Sequence, residues 1–150
     1  MRVALLFVPF FLFAGCGDPA NRLYGSLSQD DYPLDFDKVQ ATLVGDQVTI
    51  AYLRSSGAKT AKVTVSIGDI QPVAGMDIDM TSPGVNGLPR GTVQRVEAGG
   101  TTDFPLKVGK IHFNQEPVAN ADISGLFRTT LANPDGRTLN GNFQAKVEAL

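Results

Sequence analysis

Val39-Gln-Ala-Thr-Leu-Val-Gly-Asp-Gln-Val-Thr-Ile-Ala-Tyr-Leu53 alternates apolar and polar residues on either side of Gly45-Asp46. Val39, Ala41 and Leu43 share one face before the glycine, and Val48, Ile50 and Tyr52 share one after it, the period of two that a half-buried strand requires. Glycine first in a two-residue connection suits a primed turn, whose twist matches that of the strands it joins. Pairing Val44 with Gln47 sets Leu43 opposite Val48, Ala41 opposite Ile50 and Val39 opposite Tyr52. The apolar faces then coincide, so register and burial agree on an antiparallel hairpin.

The same period continues outward. After a polar loop over 54–60, Val63, Val65 and Ile67 alternate with Lys62, Thr64 and Ser66, and Gly68-Asp69 ends the strand. From Gln71 to Gly91 the chain is rich in Pro and Gly, with one short strand expected at 76–80 and the longest irregular loop at 81–90. Loops on a β scaffold carry binding residues, so 81–90 is the first place to look for function. Strands are expected over 92–98, 104–108 and 110–115, and upstream over 22–28, with Leu23, Gly25 and Leu27 on one face and Asp30-Asp31-Tyr32-Pro33 as its end. Near the C-terminus, Ile123-x-Gly-x-Phe127-x-x-x-Leu131 is repeated as Leu139-x-Gly-x-Phe143-x-x-x-Val147 across Asn133-Pro-Asp-Gly-Arg137. A type I turn at Pro134 followed by a left-handed Gly136 gives a three-residue loop that aligns Leu131 with Leu139, Phe127 with Phe143 and Ile123 with Val147. Gly125 and Gly141 make room for a ring there. No helical period longer than two turns follows Cys16, so the expectation is an all-β antiparallel β-sandwich or small barrel of about eight to ten short strands, the sandwich favoured.

The N-terminus gives an address. Arg2 is followed by an uncharged apolar run over 3–13 and the small pair Ala14-Gly15, the three regions of a secretory signal. The run is shorter than the about 20 residues that span a bilayer, and Pro9 interrupts it. Leu12-Phe13-Ala14-Gly15-Cys16 resembles the lipobox of bacterial lipoproteins, with Phe13 where the family more often has leucine. The resemblance implies a diacylglyceryl group on the Cys16 sulfur, cleavage before Cys16 by a signal peptidase II and, because Gly17 and not aspartate follows, export to the outer membrane. Acyl chains contribute about 0.8 kcal/mol per buried methylene, so two or three anchor durably. The domain organisation is then 1–15 signal peptide, 16–21 lipidated cysteine and short tether, and 22–150 a single β domain.

Thirteen basic residues face fifteen acidic ones, a formal charge of −2, and loss of Arg2 makes it −3. With no basic cluster, a nucleic-acid partner is not expected. Cys16 is the sole cysteine, so its lipidation excludes a disulfide, and one histidine cannot supply a zinc ligand set. His112 lies opposite Ile111 and Phe113 in the alternation, facing solvent, and no Gly-x-Ser-x-Gly elbow accompanies it. No catalytic residue and no cofactor are expected. Asp35 and Asp37 flank Phe36, and Asp77 and Asp79 flank Ile78. Each pair shares a strand face and offers hard oxygens to calcium, which takes six to eight; Asp77 and Asp79 are the calcium candidates, though neither pair fits an EF-hand loop. Without Trp, a sugar platform would fall to Tyr24, Tyr32 or Tyr52. The functional expectation is a lipid-anchored binding or accessory module of the cell envelope, partnered by the bilayer through Cys16 and by an envelope protein. The alternative is a small envelope hydrolase using carboxylates between Asp77 and Arg90.

Overall fold

The structure, a computed structural model of the chain, describes residues 20–30, 34–54, 59–97 and 99–150. The lipobox with Cys16, most of the tether, and Tyr32 lie outside the described residues. The described residues form ten strands: β1 (Arg22–Tyr24), β2 (Lys38–Val44), β3 (Gln47–Leu53), β4 (Lys59–Ser66), β5 (Asp77–Asp79), β6 (Gly91–Glu97), β7 (Gly100–Phe104), β8 (Leu106–Phe113), β9 (Asp122–Leu131) and β10 (Thr138–Ala149). The protein is all-β, as its alternation demands.

The strands form one hydrogen-bonded path, β5-β8-β9-β10-β2-β3-β4-β6-β7, with β1 added to β10. It curls into a half-barrel. Every pairing is antiparallel except that of β10 with β2, where Val147–Ala149 run parallel to Ala41–Leu43. The length of β10 creates the curl: its first part pairs with β9 and carries β1, and its last three residues pair with β2. One strand thus belongs to both halves of the sheet, the way strands turn corners in orthogonally packed β folds. At the far side a single residue links the two ends of the path. The Met80 N–H donates to the Gly109 carbonyl of β8 (2.8 Å), and the Met80 carbonyl accepts from the Gly91 N–H of β6 (2.7 Å). A Cβ on Gly91 would lie 2.5 Å from the Met80 Cβ, so glycine is what lets Met80 in.

The concave side holds one core built around Tyr52, Phe113, Phe127 and Phe143. Tyr52 meets Phe127 edge-on at 6.1 Å between centroids, and Phe113 meets Phe143 at 5.6 Å, geometries that aromatic quadrupoles favour. The one polar atom of this set, the Tyr52 hydroxyl, donates to the Asn142 carbonyl (2.8 Å), and burial pushes its ionisation up.

The 39–53 hairpin has the register its sequence dictates, Val44 to Gln47 through Val39 to Tyr52. Gly45 has φ +60° while Asp46 does not have a positive φ, the pattern of a type II′ turn. Three expectations are corrected. The last hairpin is shifted by two residues: Thr130 faces Thr138, Phe127 faces Gly141 and Phe143 faces Gly125, across a five-residue loop. A two-residue slip keeps every side chain on its face, so alternation cannot distinguish the registers. Packing decides, because a Cβ on Gly141 would lie 2.5 Å from both Phe127 Cε1 and the Tyr52 oxygen. Gly136 is left-handed as expected (φ +73°).

The second correction concerns 99–115. Gly99 turns the chain into a β6–β7 hairpin, and the two strands expected at 104–108 and 110–115 are one strand, β8, with a register shift between Leu106 and Val108. The third is at the start, where Gly25 at φ +149° ends β1 and Ser26–Asp30 form a 3-10 turn. Leu23 and Leu27 are still both buried.

Candidate functional site

Loop 81–90 is irregular but not loose. At its start the Asp79 carboxylate accepts from the Thr81 N–H (2.8 Å) and hydroxyl (2.7 Å), an Asx turn. At its tip the Asn86 side-chain oxygen accepts from the Leu88 N–H (3.0 Å), and Gly84 N–H donates to the Leu88 carbonyl (2.8 Å), with Gly87 at φ +75° making the reversal. At its end sits Arg90, with a side chain only 8% exposed. Its guanidinium donates to the Ser66 carbonyl (3.1 Å), the Pro83 carbonyl (3.0 Å), the Ser82 hydroxyl (3.4 Å) and both oxygens of Asp69. One planar fork ties the end of β4, the turn after it and both arms of the loop together, a geometry lysine cannot reproduce. The hydrogen bond from Arg90 holds the Asp69 carboxyl below its ordinary range.

The stapled loop walls one side of a cleft of about 600 Å³. Its floor is the outer face of β4 and β6, with Thr64, Ser66, Thr92 and Gln94. Thr42, Thr49, Thr64 and Thr92 stand in one cross-strand row, and the Thr49 and Thr64 hydroxyls are hydrogen-bonded at 2.9 Å. The opposite wall is the crossing from β7 to β8, Phe104-Pro105-Leu106, and Leu88 stands at the lip, 62% exposed. The volume lies in the range of small-ligand clefts. Hydroxyl and amide groups below and apolar groups at the rim suit recognition of a ligand with both polar and apolar parts.

Acid–base chemistry has little footing here. Asp103 accepts from the Gln94 amide (2.7 Å), the Ser66 hydroxyl donates to the exposed Asp46 carboxylate (2.6 Å), and among the described residues neither histidine nor lysine lines the cleft. A general acid at neutral pH is a carboxyl held above its ordinary value, whereas Asp79 is held below it, chiefly by the Thr81 hydroxyl.

The sequence candidates divide between the two half-sheets. Asp77 and Asp79 share the outer face of β5 around buried Ile78, as the alternation requires, but turn to different partners. Asp77 meets His112 Nδ1 at 2.9 Å while Asp79 caps Thr81. Among the described residues no group of three or more His, Cys, Asp or Glu could hold a metal ion. His112 lies on the outer face of β8, half-buried against Asp77. Asp35 pairs with Arg54 at 3.1 Å, and the Phe36 ring packs edge-on against Tyr52 at 4.9 Å. Tyr52 is fully buried and so is no sugar platform; Tyr24 lies under the Arg22 guanidinium at 4.8 Å. The residue that sequence reading missed is Arg90. An arginine beside a Pro/Gly-rich loop is its only local trace, and its partner Asp69 lies in another turn. Among the described residues no helix is long and apolar enough to cross a membrane. No family model, curated protein or solved structure matches this chain.

Proposed function

We propose that the chain is a lipid-anchored lipoprotein of the cell envelope, tethered through Cys16 to the outer membrane, whose β domain works by binding and not by catalysis. The observation that carries the binding reading is the cleft beneath loop 81–90. Its wall is fixed in advance by the Arg90 staple, so little ordering remains to be done when a ligand arrives. The lipobox resemblance supports the anchor, and the short stretch between Cys16 and β1 holds the domain close to the bilayer, where an envelope protein is met. In this reading the polar floor and the Leu88 lip form the contact surface for that partner.

Metabolic labelling with a clickable fatty acid, followed by affinity purification from native membranes, tests both parts. The parent chain incorporates label and retains its partner. Cys16→Ala incorporates none and loses the partner through mislocalisation. Label on the Cys16→Ala chain refutes the anchor, and equal recovery of the same proteins with both chains refutes an anchor-dependent accessory role.

A further inference from the structure

The other half-sheet carries a second cleft, of about 550 Å³, on the outer face of β5, β8, β9 and β10. Its residues fall into cross-strand rows. Asp79 faces Lys110, Lys110 faces Arg128, and Arg128 faces Asn140. Like charges directly opposite one another destabilise a sheet, and this pair sits within the ladder of two long strands. Of the acids beside it, Asp77 meets His112 (2.9 Å), and Asp79 accepts from the Thr81 N–H and hydroxyl while also attracting Lys110, so it is Arg128 that lacks a counter-charge. Among the described residues the Arg128 side chain makes no ion pair and no hydrogen bond. Asn140 is set from the other side: its side-chain oxygen accepts from the Thr129 N–H (3.1 Å), which leaves its NH₂ group as a donor.

We infer that this row is a binding site for a phosphate group. Lys110, Arg128 and Asn140 stand side by side on three neighbouring strands about 4.8 Å apart and line one cleft, within reach of a single oxyanion for side chains of this length. Arg128 offers a bidentate fork, Lys110 a point charge and Asn140 a neutral donor. A bound phosphate also relieves the repulsion between Lys110 and Arg128, and it does so on the Arg128 side, away from Asp79, which already attracts Lys110. Asp79 lies one strand further out, on the Lys110 side, and places the anion toward Arg128 and Asn140. The site is independent of the cleft beneath loop 81–90. A free phosphate and the phosphate of a lipid headgroup offer the same chemistry to it.

The test is ¹⁵N-resolved NMR of the full chain in maltoside micelles, which contain no phosphate. Inorganic phosphate is titrated against chloride at constant ionic strength in one arm; phosphatidylglycerol is compared with diacylglycerol in the other. The site predicts saturable shifts at Lys110, Arg128 and Asn140 that vanish in Lys110→Gln/Arg128→Gln and persist, weakened, in Arg128→Lys. Shifts with inorganic phosphate identify a free phosphate as a sufficient ligand, and shifts with phosphatidylglycerol alone identify a headgroup. The double variant removes a repulsion and so melts no lower than the parent, which separates lost binding from lost folding. No shift in either arm overturns the site, as do shifts that survive in the double variant.

Discussion

Arg90→Ala removes the staple of loop 81–90. The lost guanidinium leaves the Ser66 and Pro83 carbonyls, now 3.1 and 3.0 Å from it, without their charged donor. Bonds to a charged group contribute about 1.5–3 kcal/mol each, so at the low end of that range the two together cost about 3 kcal/mol. Asp69 is left out of that sum because water reaches its carboxylate. For a domain of this size the loss lowers the melting temperature by about 8–12 °C. Circular dichroism melts of parent and variant measure it, and hydrogen exchange at Ser66, Arg90 and Gly91 locates it, since the Ser66 and Gly91 N–H groups are bonded to the Arg90 and Met80 carbonyls. The pH dependence has a definite sign. Asp69 is depressed in the folded chain by its bond from Arg90, so its contribution is complete above the unfolded value of about 3.9 and is lost as pH falls through the lower folded value. The gap between parent and variant therefore narrows below about pH 4. A variant that melts within about 2 °C of the parent refutes the staple.

Other substitutions test the core and the turns. Gly141→Ala drives a methyl group against Phe127 and the Tyr52 hydroxyl, both 2.5 Å from the new Cβ, and costs about 1–3 kcal/mol in urea unfolding; an unchanged midpoint contradicts the register of β9 with β10. At Gly136 an added Cβ meets nothing within 4 Å, but Gly136→Val must adopt φ +73°, a conformational cost of about 1–2 kcal/mol. A melting temperature equal to the parent's excludes the left-handed turn.

Sequence and structure agree where a feature is local. The 39–53 hairpin was legible because turn chemistry, alternation and facing residues all select one register. The last hairpin was legible in its faces and its glycines but not in its register, because the choice lies in how Phe127 and Phe143 fit over Gly141 and Gly125 against Tyr52, a residue of another strand. Gly99-Gly100 reads as a strand end and instead closes a hairpin, since the same two residues serve either purpose. The parallel pairing of β10 with β2 joins positions about a hundred residues apart and leaves no local trace. The candidate site follows the same division. Alternation placed Asp77, Asp79 and His112 on outer faces, but the pairing of Asp77 with His112 depends on β5 lying beside β8. Loop 81–90 could be singled out from its Pro and Gly content, whereas its fixed shape comes from Arg90 reaching Asp69 and Ser66 across the fold.

A binding surface in the cleft beneath loop 81–90 brings a partner within reach of a crosslinker placed at its lip. A photoreactive phenylalanine analogue replaces Leu88 at the lip of the cleft in the full chain expressed in its native cells, with Val118, a similarly exposed apolar position outside the cleft, as control. Partner binding in the cleft gives a discrete adduct from position 88 that is absent from position 118 and is lost when Arg90→Ala releases the loop. No adduct from position 88, or the same adducts from both positions, contradicts it.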